Sequence, residues 1–548
     1  MAKVKVSDFI ADWLYKRGIT DVFMLSGGGA IHLDEAISKH EGIRGVCIKN
    51  EATGPMMAEA YARTKGGFGV VYVTTGPGGA NAVTGVTECY VDSSPVLVIS
   101  GQSPINQTTK NANIPNLRSF GIQELNIIDV VKSITKYAVM ITIPESILYE
   151  LEKAISVATS GRMGPVWLDI PLDIQSAYVE EDNLFGFSTN KKFTDKISED
   201  LNNAKRPLIL AGQGIKNSDA VSELKRLASC LECPIILSRL GLDCLPYSNV
   251  NNMGLGGIKG TKFNKLIMGE ADVVIAIGTS LSVAFAGYDL SFFNPNAKIY
   301  MVDIELAEIT KVQHRLSGVV IKDAQDFLRG LLNILYAFPI RYSAERKNWF
   351  EHCLKYKEKL STKLFVKEQN PIDIYFVAKK IDEMSKKGDI LVDDAGSSYY
   401  VAGQTFSFEN GVKEITSGAY ASMGLSIPLS IGAAIADPKV CILTMTGDGS
   451  LETNIQELKT LSYYKLNVKL FIINNGGYIS MRDHGRHVED ENTMLNIKKV
   501  ADAYDIPYYL IDDYKNFDTI AAKFKDVYGP AIIEIICDSE QKLILPIC

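Results

Sequence analysis

Two apolar runs in the last quarter of the chain, each followed at once by polar residues, most constrain its fold. Residues 440–445 and 469–473 are short and almost wholly apolar, and residues 454–461 between them have the spacing of an amphipathic helix. Strands that are apolar throughout are typical of parallel sheets covered on both faces. The pattern therefore predicts a β-α-β unit whose polar tips lie side by side at the carboxyl ends of two parallel strands.

The polar tip of the first strand is Gly447-Asp448-Gly449-Ser450, and that of the second ends in Asn475. Asp448 and Asn475 each offer an oxygen to a small hard cation, and the glycines let backbone amides approach a diphosphate. A Gly-Asp-Gly sequence by itself is also a common turn. Its position at two neighbouring strand ends favours a cation and phosphate site.

The same alternation of strands and helices fills three segments of the chain. Residues 1–180, 198–340 and 370–548 each contain short apolar strands separated by helical stretches. A chain of 548 residues with 46% hydrophobic content is long enough to form several cores. We therefore expect an α/β protein with three doubly wound parallel-sheet domains.

The Gly-Asp-Gly turn, its spacer and the Asn-Asn pair together resemble the thiamin diphosphate motif of the acetolactate synthase, pyruvate oxidase and 2-oxo acid decarboxylase family. The resemblance implies that the side chains of Asp448 and Asn475 and the carbonyl of Gly477 hold Mg²⁺, which bridges the two phosphates. Because Mg²⁺ usually shares its oxygen ligands with phosphate and water, three protein ligands suffice. The cofactor contacts that the resemblance implies in this motif are Gly447, Asp448, Gly449, Ser450, Asn475, Gly477 and Tyr478. The three segments then correspond to pyrimidine-binding, central and diphosphate-binding domains.

The first segment continues the resemblance. Residues 50–63 resemble the family's glutamate-bearing helix, and Glu51 matches its catalytic carboxylate. A carboxylate hydrogen-bonded to N1′ of thiamin favours the imino tautomer whose nitrogen removes the C2 proton. An exposed glutamate in a first helical turn is the alternative, but matches at residues 74–81, 92–95 and 101–104 follow in order and favour catalysis. The cofactor contacts implied here are Glu51, Thr75, Gly76 and Asn81.

Two further stretches resemble active-site segments of the family. Residues 117–124 match a segment in which Gln123 reaches the reacting centre, although a role in helix capping is the alternative. Residues 416–425 match the loop on the pyrimidine side of the cofactor, where Ser422 and Met423 lie. Met423 matches the apolar residue that bends thiamin so that its imino nitrogen reaches C2, whereas a lone methionine is usually core filler.

A third group of residues completes the predicted phosphate contacts. Gly396, Ser397 and Ser398 follow the apolar strand 390–392, so the two hydroxyls are placed to bond phosphate oxygens at a helix start. The family often has larger polar residues at this turn.

The loop of three glycines at residues 26–32 aligns with the family's substrate-side loop. Gly28 stands where simple decarboxylases often carry an acid or a hydroxyl, so this loop offers no proton donor to the reacting carbon. That favours capture by a second carbonyl compound over protonation. His32 either faces the site or lies on a helix surface.

The sequence after the Asn pair departs from acetolactate synthases, which carry a tryptophan thought to select the second 2-oxo acid. Residues 476–487 lack tryptophan and contain Arg482, His484, Arg486 and His487, which suit an anionic acceptor such as an activated sugar. A solvated loop is the alternative. We predict a carboligase that decarboxylates a pyruvate-like 2-oxo acid and transfers the acyl anion to a carbonyl acceptor. A decarboxylase that releases an aldehyde and an inactive cofactor-binding regulatory subunit are the alternatives.

Some family members also bind FAD in the central domain, through an arginine after the strand at residues 273–277. Residues 278–282 contain no arginine, and Gly212-Gln213-Gly214 is only part of a dinucleotide fingerprint, so FAD is not favoured. Glu51 and Asp448 lie in different segments, and the family joins them across a dimer interface. We therefore expect a homodimer or homotetramer.

Charge and hydropathy give broader expectations. The net charge of −7 shows no basic footprint for nucleic acid, and no window approaches about 18 uninterrupted apolar residues. The first eight residues lack a long apolar region. We therefore expect a cytoplasmic protein without a membrane or nucleic-acid partner.

Overall fold

The computed structural model describes residues 3–181, 184, 197–337, 343–477 and 494–547. Within them, three six-stranded sheets follow one another along the chain, and a separate pair of short strands is antiparallel. Every strand pair within the three larger sheets is parallel. The predicted α/β class with three doubly wound domains is confirmed.

The first domain contains the elements up to residue 180. They are β1 (Lys3–Lys5), α1 (Val6–Lys16), β2 (Asp21–Met24), α2 (Ile31–Lys39), β3 (Arg44–Cys47), α3 (Thr53–Lys65), β4 (Gly69–Val73), α4 (Pro77–Val91), β5 (Val96–Gln102), α5 (Thr109–Ala112), α6 (Ile127–Val131), β6 (Tyr137–Met140), α7 (Ile147–Thr159), β7 (Val166–Pro171), α8 (Leu172–Ser176) and β8 (Tyr178–Glu180). The sheet order is β3-β2-β4-β5-β7-β6, while β1 pairs with β8.

The central domain follows. Its elements are α9 (Ser198–Asn203), β9 (Pro207–Ala211), α10 (Gln213–Asn217), α11 (Val221–Leu231), β10 (Ile235–Leu237), β11 (Asn252–Leu255), α12 (Asn264–Glu270), β12 (Val273–Ile277), α13 (Val283–Ala286), β13 (Lys298–Asp303), α14 (Leu306–Thr310), β14 (Gly318–Ile321) and α15 (Ala324–Ala337). The sheet order is β11-β10-β9-β12-β13-β14.

A connecting helix leads to the third domain. The elements are α16 (Ala344–Leu360), α17 (Ile374–Met384), β15 (Ile390–Asp393), α18 (Ser397–Thr405), β16 (Lys413–Ile415), α19 (Ser426–Ala436), β17 (Ile442–Gly447), α20 (Asp448–Thr453), α21 (Leu458–Tyr463), β18 (Val468–Asn474), α22 (Ile497–Ala503), β19 (Tyr508–Ile511), α23 (Phe517–Ala521) and β20 (Ala531–Ile536). The sheet order is β16-β15-β17-β18-β20-β19.

The predicted β-α-β unit is present, but its helix differs from the prediction. Strands β17 and β18 are parallel neighbours, as expected. The stretch predicted as one helix at residues 454–461 is instead a 3₁₀ turn, Ile455–Glu457, followed by α21, and a break at Asn454 separates it from α20. Tertiary contacts explain the break, because the Asn454 amide donates to the carbonyl of Gly424 (2.9 Å) and Glu457 accepts from the backbone of Lys49 (3.0 Å).

The first and third domains pack directly against each other through α3 and α19, and their buried apolar residues form one core. At the centre of the contact, a Cβ added to Gly432 of α19 would lie 2.1 Å from the carbonyl oxygen of Met57 of α3. Only a glycine lets the two backbones approach so closely. At the ends of α3, Thr53 donates to Glu457 (3.1 Å) and Arg63 donates to the carbonyl of Thr416 (2.8 Å).

Candidate active site

Asp448 lies at the junction of β17 and α20, beside the end of β18. It is buried, with 6% of its surface exposed. Its Oδ1 accepts from the backbone of Gly449 (2.8 Å) and its Oδ2 from the backbone of Gly477 (3.0 Å). Gly477 has a φ of 106°, which favours glycine. The two predicted strand tips therefore meet.

The chemistry of this turn fits a hard cation. Burial raises the pKa of Asp448, while backbone N–H groups oppose the rise. A carboxylate that accepts two hydrogen bonds keeps further lone pairs for a metal ion. Asn475 is also buried, directly after β18. Asp448, the Asn475 amide and the Gly477 carbonyl are oxygen donors of the kind that Mg²⁺ prefers, so the residues fit the ion that the resemblance implies.

The serines predicted to contact phosphate lie at the start of α18. Gly396 has a φ of 89° and is exposed, and Ser397 is half-buried beside it. The Ser398 hydroxyl is buried and donates to the carbonyl oxygen of Asp394 (3.0 Å), so its proton already has an acceptor within the chain. Phosphate binding at Ser397 and Ser398 stays a prediction.

Loop 416–424 lies against the start of α20. A Cβ added to Gly424 would lie 2.9 Å from the carbonyl oxygen of Ser450, and Gly424 has a φ of 76°. The neighbouring Met423 is 38% exposed and is therefore not a core residue. Ser422 donates to Glu88 of α4 (2.9 Å). The fold thus brings an exposed apolar side chain close to the Gly-Asp-Gly turn.

Glu51 comes two residues before α3 and is buried, with 8% of its surface exposed. Its Oε2 accepts from the side-chain amide of Asn81, in the second turn of α4 (3.0 Å). The alternative of an exposed glutamate in a first helical turn therefore does not describe this residue. Asn81 holds the carboxylate in one orientation.

Gln123 meets the turn between β4 and α4. A Cβ added to Gly76 would lie 2.1 Å from the carbonyl oxygen of Gln123, and the Thr75 hydroxyl donates to Gln102 (2.7 Å). Gln123 has a φ of 56°, and the next helix, α6, begins only at Ile127, so Gln123 is not a helix cap. The Thr75-Gly76 turn therefore adjoins the predicted Gln123 segment.

Gly28 and His32 follow β2. Gly28 is exposed, and a Cβ added there would have no neighbour within 4 Å. The His32 ring lies 3.1 Å from Lys5 Nζ and 3.9 Å from Glu35. These contacts favour the helix-surface alternative for His32, while its role in substrate binding stays a prediction.

Within one chain, the two halves of the predicted site contact α4 at different places. Asn81, which holds Glu51, is near the start of α4, whereas Glu88, which accepts from Ser422, is near its end. Seven residues of α-helix span roughly 10 Å. Glu51 and loop 416–424 are therefore anchored about two helical turns apart.

Several acidic residues at loop 416–424 carry contacts that the sequence did not reveal. Asp92 accepts from the backbones of Gly418 (2.6 Å) and Ala419 (3.2 Å), and burial raises its pKa to about 7. Burial also raises the pKa of Glu88. The sequence places Asp92 within a family motif, but its backbone partners in the loop are 326 and 327 positions away along the chain.

Two predictions lie outside the described residues. They concern the cofactor contact at Tyr478 and the basic cluster of Arg482, His484, Arg486 and His487.

A cavity of about 680 Å³ lies where all three domains meet. Its walls include Arg162 of the first domain, Gly278 and Asp303 of the central domain, and Tyr399 of the third. Gly278 directly follows β12, where flavin-binding relatives would carry the cofactor. The volume is sufficient for a nucleotide-sized ligand. This cavity weighs against the prediction that FAD is not favoured.

Comparison with protein families gives three consecutive matches. The family descriptions are "Thiamine pyrophosphate enzyme, N-terminal TPP binding domain" for residues 4–123, "central domain" of the same enzymes for residues 194–331, and "C-terminal TPP binding domain" for residues 394–535. The matches follow the order of the three sheets.

Individual relatives are similar in sequence to this chain over nearly its whole length. A probable acetolactate synthase large subunit from Methanocaldococcus jannaschii is 30% identical over 98% of this chain and 93% of its own length. The acetolactate synthase large subunit of Lactococcus lactis is 29% identical, over 100% of this chain and 96% of its own length. The acetolactate synthase isozyme 1 large subunit of Escherichia coli K12 is 27% identical, over 98% of this chain and 94% of its own length.

No helix within the described residues is long and apolar enough to cross a membrane.

The sequence motifs, the three parallel sheets and the family matches all indicate the same family. The chain is a member of the thiamine pyrophosphate enzyme family, an enzyme similar to acetolactate synthase large subunits.

Proposed function

We propose that this enzyme uses Mg²⁺ and thiamin diphosphate to decarboxylate a pyruvate-like 2-oxo acid and to transfer the acyl anion to a carbonyl acceptor. The observation that carries the proposal is the buried Glu51 carboxylate, which Asn81 holds in one orientation. The similarity to acetolactate synthases supports the 2-oxo acid donor.

Each residue has a definite task in this proposal. When bound, thiamin diphosphate supplies an acidic carbon that adds to the 2-oxo acid and accepts the electron pair released with CO₂. Asn81 occupies one oxygen of Glu51, which leaves Oε1 to share a proton with the pyrimidine ring. Met423, which is 38% exposed, would offer an apolar surface to that ring. Asp448, Asn475 and Gly477 would hold Mg²⁺.

The substrate side favours ligation over protonation. Gly28 is exposed and its position is open, so it leaves room for a second substrate and offers no proton donor. An activated sugar is our candidate acceptor. Its support is the sequence of the basic cluster that follows the Asn pair.

The first test is turnover with pyruvate, thiamin diphosphate and Mg²⁺, with and without acceptors that include nucleotide-activated keto sugars. We expect CO₂ release and an acceptor-dependent product. Glu51→Gln should lower kcat by about 10²–10⁴-fold, because it removes the proton-sharing carboxylate. Glu41→Gln, at an exposed position of the same domain, is the matched control and should stay active.

Other results would contradict this function. Acceptor-independent release of aldehyde would show a simple decarboxylase. Tight binding of thiamin diphosphate with no CO₂ release from any 2-oxo acid would indicate a regulatory subunit.

We also propose that two copies of the chain complete each site, as a homodimer or a dimer of dimers. The separate anchoring of Glu51 and loop 416–424 on α4 supports this arrangement. Mixing unfolded Glu51→Gln and Asp448→Ala chains and refolding them together tests it. If sites form between chains, heterodimers regain one intact site, and about a quarter of the activity returns. If each site forms within one chain, the mixture stays inactive.

A further inference from the structure

The carboxyl end of β15 carries two adjacent aspartates that are fully buried. Asp393 is 0% exposed and Asp394 is 1% exposed. Burying a carboxylate is costly unless hydrogen bonds or a cation compensate, so the partners of these two side chains indicate why they are there. Each carboxylate contacts a different end of loop 416–424.

Asp394 receives hydrogen bonds from the carboxyl end of the loop and from both elements beside it. Its Oδ1 accepts from the backbones of Ala395 (2.8 Å) and Gly424 (2.9 Å). Its Oδ2 accepts from the backbone (3.2 Å) and hydroxyl (2.6 Å) of Ser426 at the start of α19. The hydroxyl of Thr446 in β17 also donates to Oδ2 (3.1 Å). One side chain thus joins loop 416–424 to the strand that leads to Asp448.

Asp393 contacts the other end of the loop. Its Oδ1 accepts from the Thr416 hydroxyl (2.5 Å), and its Oδ2 pairs with the buried guanidinium of Arg239 (2.5 Å). Arg239 also pairs with Glu414 and donates to the carbonyl of Tyr399 (3.1 Å). The central domain therefore supplies the cation for a carboxylate that holds the first residue of the loop.

Met423 itself has little apolar packing to fix it, since more than a third of its surface is exposed. Its position therefore depends on the backbone around it. Gly424, the next residue, has a φ of 76° and bonds to Asp394. Loss of that bond would free the backbone next to Met423.

We propose that Asp394, supported by the Asp393–Arg239 pair, is a positioning residue that holds Met423 against the cofactor. The inference rests on the proposed function, because it assigns Asp394 an effect on the same site. Asp394 touches no reacting atom. It acts by presenting two oxygens to donors from the loop, α19 and β17.

The test compares two serine-to-alanine variants one helical turn apart on α19. Ser426→Ala removes a donor to Asp394, whereas Ser430→Ala removes a buried hydroxyl that bonds to Thr444 (2.7 Å) and to the carbonyl oxygen of Ser426 (2.7 Å) but not to Asp394. Ser426→Ala loses one buried hydrogen bond and Ser430→Ala loses two, so the unfolding midpoint should fall at least as far in Ser430→Ala. We expect kcat to fall about tenfold in Ser426→Ala and to stay within about twofold of wild type in Ser430→Ala.

Asp394→Asn should have a larger effect, because its NH₂ group would face backbone donors. If that variant does not fold, the comparison of Ser426→Ala with Ser430→Ala still tests the inference. Amide hydrogen exchange at residues 416–426 should speed up in Ser426→Ala and not in Ser430→Ala. This measurement needs no turnover. It therefore tests whether Asp394 holds loop 416–424 in place even if the proposed reaction is wrong. Unchanged exchange and kcat in Ser426→Ala, or equal losses in both serine variants, would overturn the inference.

Discussion

The close approach of α3 and α19 leads to a prediction about Gly432. An alanine Cβ there would lie 2.1 Å from the carbonyl oxygen of Met57 and within 2.8 Å of two further backbone atoms of that residue. These separations are far inside the roughly 3.5 Å of a good non-bonded contact. Because backbone atoms cannot rotate away as a side chain can, Gly432→Ala must push the two helices apart.

The size of the effect follows from two opposing terms. Overpacking a tight contact costs typically about 1–3 kcal/mol, and a clash with backbone belongs at the upper end. Replacing a helical glycine by alanine stabilises the helix by about 1 kcal/mol, because alanine has the higher helix propensity. We expect a net loss of about 2 kcal/mol, which lowers the unfolding midpoint of a domain of this size by several degrees.

Gly330→Ala is the matched control. Gly330 lies within α15, and a Cβ added there would meet only the tip of Lys322, at 4.0 Å. The same substitution should therefore stabilise by about 0.5–1 kcal/mol. Urea and thermal unfolding of both variants, followed by circular dichroism and by turnover, measure the difference.

The activity of the two variants should also diverge. Glu51 lies two residues before α3 and loop 416–424 ends two residues before α19, so displacing the helices disturbs both parts of the site. Gly330→Ala should keep wild-type turnover. The reasoning is refuted if Gly432→Ala is as stable and as active as Gly330→Ala.

Three other expectations can be checked directly. Asp448→Ala, or dialysis against a chelator, should abolish the retention of thiamin diphosphate on gel filtration, whereas Asp437→Ala at the end of α19 should not. Burial raises the pKa of Asp169 to about 7, so its contribution to stability is present below the unfolded pKa of about 4 and is lost as the pH rises through about 7. The urea midpoint should fall across that range, less steeply in Asp169→Asn, and equal slopes would contradict the assignment. The purified protein should show no visible flavin absorbance, and a yellow protein with released FAD would overturn that prediction and fill the cavity at Gly278.

Short-range patterns in the sequence were enough to predict much of the fold. Apolar runs followed by polar residues predicted β17 and β18 within about two residues, because a buried parallel strand requires apolar side chains on both faces. The same pattern predicted that the tips at Asp448 and Asn475 lie side by side, since neighbouring parallel strands end at one edge of a sheet, and the bond from Gly477 to Asp448 agrees with it. These inferences need only local spacing and the geometry of a β-α-β unit.

Contacts between residues far apart in the chain were decided only by the tertiary structure. Ser422 bonds to Glu88, 334 positions away, and no local pattern marks that pair. The break between α20 and α21 likewise follows from the contacts of Asn454 and Glu457 with other parts of the fold, which override helical spacing. A single sequence records which residues are apolar or charged. Which buried carboxylate meets which donor is decided by the packing of the three sheets, and so the role of Asp394 became apparent only there.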